Sequence, residues 1–194
     1  MSVAVLEAEV RTTPFAHATH PAPLSNALCA AALDWLETTA PWRLRVASFY
    51  EQWELHLAPQ DLPEGLQPLL TPATIDALQR LMLSPIAEAR LQLTEVTAHK
   101  LVPGQTIRVH NDYRSRGETH RLVIQLNRGW EDEQGGLLLL FGSASADDVR
   151  RILRPTHRSA VAFAISPRSF HAVSTIQRGE RYTLVYSFQP ARRA

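Results

Sequence analysis

Apolar residues follow a helical pattern in the first part of the chain. Ser25 is suited to cap a helix, because its hydroxyl can accept a hydrogen bond from a free backbone N–H of the first turn. The apolar positions of this helix recur at intervals of three and four residues: Leu24, Leu28, Ala31, Ala32, Trp35 and Leu36. A second helix is predicted from Pro72, after Thr71, to the Ser84-Pro85 pair, which ends it.

Short strands replace the helical pattern from about Leu91 onward, and residues 42–57 already alternate enough to predict one or two strands. The later β-like runs are LQLTEVTAHKLV, TIRVHNDY, HRLVIQLN, GLLLLFG, SAVAFAI, HAVSTI and RYTLVYSF. Runs of this length at near-regular spacing are typical of a sandwich or jelly roll. We therefore predict a mainly β fold with flanking helices, in a single domain over residues 1–194. Residues 1–90 form its helix-rich support region and residues 91–190 its β core.

The composition excludes several classes of protein. A chain of 194 residues, 45% hydrophobic and 20% charged, can bury a proper core in one globular domain. No apolar run approaches the ~20 residues of a membrane span, and acidic residues stand where a signal peptide would be basic. The single cysteine, Cys29, fits a reducing, cytoplasmic compartment. A net charge of +1 lacks the basic footprint of a nucleic-acid-binding protein.

His110 and Asp112 are the first candidates for chemistry. In the predicted strand TIRVHNDY they lie two residues apart, so their side chains should project from the same face. Alone, the pair is weak evidence, because a surface strand can carry a hydrogen-bonded His and Asp. His171, at the start of a later strand, would complete a set of two imidazoles and one carboxylate, which suits non-haem Fe(II). We interpret the other histidines as surface or packing residues: His17, His20, His56, His99, His120 and His157.

Arg181 and Thr183 are candidates for holding an anion. Arg181 follows His171 by ten residues, enough for a strand, a turn and a return into an adjacent antiparallel strand. Thr183 should share its face. A guanidinium beside a hydroxyl can bind both oxygens of a carboxylate. Lys100 is the only lysine among the 20 basic residues, so a fixed cation is expected to be arginine.

Three polar residues are expected to line a substrate cavity. In HRLVIQLN, Arg121 and Gln125 lie on the polar face, opposite an apolar face that should pack beneath the helices. Arg108, two residues before His110, should share the cavity. These side chains could bind a substrate carboxylate, or the arginines could pair with a nearby Asp or Glu. The charged segment 142–159 is either a lid or a solvated connection.

Several elements, taken together, resemble the Fe(II)/2-oxoglutarate-dependent dioxygenases and, within them, the prolyl-4-hydroxylase-like branch. They are HKLVPGQTIRVHND, with its Gly-Gln pair before the metal motif, RLVIQLNRGWEDEQGG, the strand at His171, and Arg181-x-Thr183. The resemblance covers about residues 90–190, and TPFAHATHPAPLS near the N-terminus extends it. The elements are specific as a set, although each one alone is common.

The resemblance implies a double-stranded β-helix whose two sheets hold Fe(II) between them, bound by His110, Asp112 and His171. The co-substrate 2-oxoglutarate would chelate the iron through its keto acid, while Arg181, with Thr183, would hold its far carboxylate. Reaction with O₂ would release succinate and CO₂ and would hydroxylate an unactivated C–H bond. The expected substrate is a small molecule such as a free amino acid, or a residue within a peptide.

Three positions differ from relatives within this family. Leu101 and Arg181 stand where prolyl hydroxylases often have tyrosine and lysine, and Ser187 stands where nucleic-acid demethylases have a second arginine. The resemblance therefore does not imply prolyl specificity or recognition of bases. One alternative is a non-catalytic metal-binding jelly-roll module that binds or senses a small acid, but it would not need the Arg181 and Thr183 clamp. A zinc hydrolase with the same ligands would need a general base, for which the sequence offers no defined place. The substrate, the oxidised carbon and the oligomeric state stay open.

Overall fold

The computed structural model of this chain describes residues 6–114 and 117–191. Within these ranges the chain forms two α-helices, α1 (Asn26–Thr38) and α2 (Pro72–Leu78), and twelve β-strands. The strands are β1 (Glu9–Arg11), β2 (His17–His20), β3 (Arg43–Val46), β4 (Glu51–His56), β5 (Leu91–Leu101), β6 (Ile107–His110), β7 (His120–Gln125), β8 (Leu138–Phe141), β9 (Val149–Leu153), β10 (Ala160–Ala164), β11 (His171–Val173) and β12 (Arg181–Pro190).

Both helices begin where the sequence predicts. The Ser25 hydroxyl accepts a hydrogen bond from the backbone N–H of Leu28, and the Thr71 hydroxyl accepts one from Thr74. A π-helical turn, Gln79–Leu83, continues α2 to the position where the sequence predicts its end. The buried side of α1 consists of Cys29, Ala32, Leu33 and Leu36.

The strands form two antiparallel sheets. The larger sheet has eight strands in the order β1-β2-β10-β7-β12-β5-β4-β3, and the smaller has four in the order β6-β11-β8-β9. Antiparallel pairing in both sheets, with the helices kept outside them, confirms the predicted mainly β fold class.

Two apolar clusters order these elements into layers. The first joins both helices to the outer face of the larger sheet, where Leu33 and Met82 share a cluster with Leu122, Ile124 and Leu184. Leu122 and Ile124 are on the apolar face of β7 that was predicted to pack beneath the helices. The second cluster lies between the two sheets and contains Leu101, Val161 and Phe163 from the larger sheet and Leu138, Leu140 and Val173 from the smaller. Residues on the inner faces of the sheets are therefore placed to form an internal site.

Some details of the topology differ from the prediction. β11 and β12 do not pair, because β11 belongs to the smaller sheet and β12 lies between β7 and β5 in the larger one. The chain between them crosses from one sheet to the other. Three short strands, β1, β2 and β9, were not predicted. Among the described residues, no helix is long and apolar enough to span a membrane.

Candidate active site

The three predicted metal ligands converge in the space between the sheets. His110 ends β6, His171 begins β11, and the two residues are opposite each other in the pairing of these strands. Asp112 lies between their imidazoles, with Nε2 of His110 3.4 Å from its Oδ1 and Nε2 of His171 3.1 Å from its Oδ2. The ligand atoms of all three residues lie within 4.8 Å of one another. This is a compact set of two nitrogens and one oxygen.

Both imidazoles are held in the tautomer that a metal requires. Nδ1 of His110 lies 2.8 Å from the carbonyl oxygen of Arg108, and Nδ1 of His171 lies 2.8 Å from that of Ser169. A carbonyl oxygen can only accept, so each Nδ1 carries the proton and donates it. The Nε2 lone pairs are then free to bind a metal, in the arrangement usual for metal-binding histidines. The donor set thus fits Fe(II).

Asp112 reaches this position from a turn and not from a strand, so the predicted same-face geometry was wrong. β6 ends at His110, and Asp112 has a φ of 57°, in the left-handed region that a non-glycine residue seldom adopts. The loop is held by Asn111, whose side chain donates to the carbonyl of Pro167 and whose own carbonyl accepts from the Ser169 hydroxyl. These bonds join the Asp112 turn to the loop that precedes His171.

Arg121 supports the Asp112 carboxylate. Its Nη1 donates to Oδ2 of Asp112 at 2.6 Å, and its Nη2 donates to Oε2 of Glu118 at 2.6 Å. Burial opposes ionisation of Asp112, but its contacts with the rings of His110 and His171 and the charge of Arg121 hold the pKa of this carboxyl well below its usual value. Burial also lowers the pKa of His171. An ionised carboxylate and a neutral imidazole are the protonation states that metal binding needs.

Arg181 and Thr183 lie on β12 in the middle of the larger sheet, and both line the same cavity as the triad. They are 4% and 2% exposed. Burial lowers the pKa of Arg181 to about 10. The part of the chain that the structure describes offers no ion-pair partner to this guanidinium, and its Nε is buried without a hydrogen bond. A buried cation is costly when unpaired, so the cavity is suited to receive an anion here.

The cavity has a volume of about 680 Å³ and is lined by both sheets, within the range of roughly 300–1,000 Å³ usual for small-molecule sites. The triad stands on the side of the smaller sheet, whereas Arg181 and Thr183 stand on the larger. Aromatic side chains complete the walls: Phe49, Tyr50, Tyr113, Phe163 and Phe170. Phe49 packs on the His110 ring at a centroid distance of 4.5 Å, and Phe163 packs on His171 at 4.8 Å.

His99 also lines this cavity, so its interpretation as a surface or packing residue was wrong. It lies on β5 directly opposite Thr183 of β12. Burial and the positive charges of Arg121 and Arg181 lower the pKa of His99 to about 3, so the imidazole is neutral. Alternation along β5 gives Thr97, His99 and Leu101 the same face. The register of β5 against β12, which brings His99 beside Thr183, is not visible in the sequence.

The structure separates the three predicted substrate residues. Arg121 lines the cavity, but it is paired with Asp112 and Glu118, as the alternative interpretation had it. Arg108 is exposed and donates to the carbonyl of Ser48, so its predicted place in the cavity was wrong. A β-bulge where β6 meets β11 shifts the alternation before His110 and turns Arg108 outward.

Gln125 also lies outside the cavity that contains the triad. It is 3% exposed and lines a second cavity of about 370 Å³, together with Leu6, Thr19 and Leu153. Its predicted place beside the substrate was therefore wrong. Leu138 lines both cavities.

The segment 142–159 is not a lid. Residues Val149–Leu153 form β9, the edge strand of the smaller sheet, and Arg154 forms a double hydrogen bond with Asp132. None of the described residues that line the larger cavity comes from this segment.

Lys100 and Trp130 contact other parts of the protein and do not line the cavity. Lys100 lies between the rings of Trp42 and Trp53, at 5.5 Å and 5.4 Å from their centroids, and does not line the cavity. It is therefore not a second candidate for binding an anion there. Trp130 is 9% exposed and donates from Nε1 to the carbonyl of Gly135, as expected of a packing residue.

Comparison with known families gives a match over the β core. Residues 95–189 match the sequence model described as the 2OG-Fe(II) oxygenase superfamily. The matched range contains the triad, His99, Arg181 and Thr183. Among curated proteins, no sequence gives a significant match to this chain.

Solved structures share the fold at low sequence identity. A prolyl-4-hydroxylase from Pseudomonas putida matches with a TM-score of 0.69 and 20% identity, over 91% of this chain and 93% of that one. A prolyl hydroxylase from Trichoplax adhaerens, in complex with a peptide fragment of a hypoxia-inducible factor, gives 0.73 and 12%, over 89% and 82%. A viral collagen prolyl hydroxylase from Paramecium bursaria Chlorella virus-1, in complex with 2-oxoglutarate, gives 0.66 and 12%, over 90% and 96%. The fold is thus the double-stranded β-helix of prolyl-4-hydroxylase-like oxygenases.

Proposed function

Since the chain belongs to the 2OG-Fe(II) oxygenase superfamily through residues 95–189, we propose that it hydroxylates an amino-acid side chain, free or within a peptide. Members of this family use Fe(II) and 2-oxoglutarate with O₂. The observation that carries the proposal is the pairing of the His110, Asp112 and His171 set with an unpaired buried arginine in one cavity. These are the two binding functions that such an enzyme needs.

His110, Asp112 and His171 would hold the metal. The backbone carbonyls at Nδ1 orient both imidazoles, and Arg121 fixes the carboxylate, so the ligand atoms are organised in advance. The packing of Phe49 and Phe163 against the rings limits their rotation. Fe(II) bound by these residues, with 2-oxoglutarate and O₂, would supply the oxidative chemistry that converts a substrate C–H to C–OH and 2-oxoglutarate to succinate and CO₂.

Arg181 and Thr183 would hold the distal carboxylate of 2-oxoglutarate. The guanidinium can donate two parallel hydrogen bonds to a carboxylate, and the hydroxyl can add a third. A carboxylate there would neutralise the buried charge of Arg181 and satisfy donors that have no partner among the described residues. This requirement for an anion is what disfavours a bare metal-binding module, which would need no second charged anchor.

A peptide or amino-acid substrate fits the open side of the cavity. Tyr113 is 49% exposed and Phe49 and Tyr50 stand nearby, so a side chain can enter along an aromatic wall. The relative from Trichoplax adhaerens is a prolyl hydroxylase bound to a peptide fragment, which supports the same class of substrate here. The balance of the reaction is one C–H, one 2-oxoglutarate and one O₂ consumed for one C–OH, one succinate and one CO₂.

We expect succinate release that depends on Fe(II), 2-oxoglutarate and a substrate, when the protein is tested with free amino acids and a peptide library. The product should be one oxygen atom heavier by mass spectrometry and should carry the label from ¹⁸O₂. Asp112→Ala should abolish turnover, because it removes the carboxylate ligand. Asp132→Ala, which removes a surface carboxylate bound to Arg154, is the matched control and should retain activity.

Two results would count against the proposal. Binding of 2-oxoglutarate without succinate release from any member of the panel would favour the non-catalytic module. A product without added oxygen would show a different reaction.

A further inference from the structure

His99 stands beside the proposed anchor for the distal carboxylate. It is directly opposite Thr183 in the pairing of β5 with β12, and Arg181 lies two residues before Thr183 on the same face. Side chains directly opposite each other in an antiparallel pair are about 5 Å apart at Cβ. An anion bound by Arg181 and Thr183 is therefore within reach of the His99 ring.

One ring nitrogen of His99 is already engaged. The Thr97 hydroxyl lies 3.1 Å from Nε2. If this hydroxyl donates, the proton of the neutral imidazole is on Nδ1, and Nδ1 becomes a donor. Among the described residues, no hydrogen-bond partner stands at Nδ1, and the ring lines the cavity.

The neighbour on the other side of His99 does not need this donor. Glu54 of β4 is opposite His99 in the pairing of β4 with β5. Oε1 of Glu54 already accepts from Gln52 at 2.7 Å and from the Tyr50 hydroxyl at 3.1 Å, and Oε2 lies 3.4 Å from Arg45. The free nitrogen of His99 is thus available to a ligand in the cavity.

We propose that His99 is a third contact for the distal carboxylate of 2-oxoglutarate, donating from Nδ1 as a neutral imidazole that Thr97 orients. This inference rests on the proposed function, because it assumes that Arg181 and Thr183 bind that carboxylate. A neutral donor completes the hydrogen bonding without adding charge. The anchor then presents one positive charge, from Arg181, to one carboxylate.

The test is an anaerobic titration of the Fe(II) protein with 2-oxoglutarate, followed through the metal-to-ligand absorption band. His99→Leu should weaken binding by about five- to tenfold, the effect expected of one hydrogen bond. His99→Gln keeps a donor and should recover most of the affinity. His120→Leu removes a half-buried histidine of β7 that does not line the cavity, and it should bind as the parent does.

A second ligand isolates the carboxylate contact. 2-Oxobutyrate has the same keto acid but no distal carboxylate, so its affinity should not change in His99→Leu. Equal weakening for both ligands would overturn the inference, because His99 would then act elsewhere. If His99→Leu does not fold cooperatively, His99→Ala is compared in the same way.

The reference variant Arg181→Ala separates this inference from the proposed function. Parent-like binding of 2-oxoglutarate by His99→Leu, with a large loss in Arg181→Ala, would overturn the role of His99 and leave the proposed function intact. Parent-like binding by both variants would remove the co-substrate assignment and the inference together.

Discussion

Arg181 is a charged side chain in a place where charge is unfavourable. It is 4% exposed, its pKa is lowered to about 10 by burial, and the described residues supply no anion to it. By contrast Arg121, a similarly placed guanidinium, has two carboxylates. The two arginines therefore differ in role. Arg121 supports Asp112 within the protein, whereas in the proposed function Arg181 binds a ligand.

Changing Arg181 should separate co-substrate binding from metal binding. Arg181→Ala leaves the ligand carboxylate unpaired in a buried site, which typically costs ~3–5 kcal/mol, or roughly 10²- to 10³-fold or more in affinity. Arg181→Lys keeps the charge and loses the planar fork, so a smaller loss is expected. Anaerobic titration of 2-oxoglutarate measures both, and Fe(II) affinity should change little. The matched control is Arg108→Ala, which removes an exposed arginine near the triad. A loss of iron binding in Arg181→Ala would contradict the division of roles.

The sequence predicted residues that the structure brings together in one cavity, the His110, Asp112 and His171 set with Arg181 and Thr183, but not the reasons for their geometry. The spacing of His110 and Asp112 was informative, yet Asp112 depends on a left-handed turn held by Asn111. Strand parity placed Arg121 in the cavity and failed for Arg108, because a bulge shifts β6. His99 was missed because its significance comes from a partner on another strand. Contacts that depend on register between distant segments are not encoded in local alternation.

At the scale of elements, glycines allow the loop before β8 to pack against β12. Gly136 has a φ of 66°, and a Cβ at this position would lie 2.9 Å from Cδ of Arg181 and 2.7 Å from Cδ1 of Ile176. The loop thus supports the stem of the proposed carboxylate anchor.

Helix caps and alternating strands were predicted well, because hydroxyl caps and apolar periodicity are local signals. Strands as short as β1 and β11 have three residues each and depend on their partners in the sheets.

Gly136→Ala should disturb co-substrate binding from outside the cavity wall. The added methyl group must displace Arg181 or Ile176, so we expect lower stability and weaker binding of 2-oxoglutarate, with Fe(II) affinity retained. Gly104→Ala is the matched control: it has a φ of 89°, and a Cβ there would meet no described atom within 4 Å. The Gly104→Ala substitution introduces backbone strain without a steric clash. Equal effects of the two substitutions on 2-oxoglutarate affinity would show that strain alone is responsible. Thermal unfolding and the anaerobic titration measure the two effects.

At the scale of the whole molecule, an ionic contact joins the two sheets on one side of the barrel. Arg151 of β9 donates to His17 Nε2 of β2 at 2.7 Å and to Glu9 of β1 at 3.0 Å. His17 Nδ1 lies 2.7 Å from the carbonyl of Phe15, so the ring donates there and accepts from the guanidinium. Its imidazole is therefore neutral in the folded protein.

The two-sheet architecture was predictable from the number and length of the strands. This contact was not, because it joins residues more than 130 positions apart.

The stability of the metal-free protein should fall as the pH drops below about 6.5. Burial and the charge of Arg151 lower the pKa of His17, and burial and the charges of Arg121 and Arg181 lower that of His99 to about 3. Below pH 6.5 the unfolded chain binds protons that the folded chain does not. Each such histidine then costs up to about 1.4 kcal/mol of unfolding free energy per pH unit. Above that pH both states are neutral and the effect is absent.

Denaturant unfolding from pH 7 to 5, in the presence of a chelator, measures this slope. His17→Gln can still accept from Arg151 without titrating, so its slope should be shallower than that of the parent. A parent-like slope in His17→Gln would mean that this residue does not contribute to the acid sensitivity.

The separation of the two anchors between the sheets has a mechanical consequence. The triad belongs to the smaller sheet and its connecting turn, while Arg181 and Thr183 belong to the larger. A dicarboxylate bound at both ends would connect the two sheets across the cavity. Movement of one sheet relative to the other would then lengthen either the bond to the metal or the hydrogen bonds to Arg181 and Thr183. The co-substrate consumed in each turnover would thus also connect the two sheets, and this connection would be lost when succinate leaves.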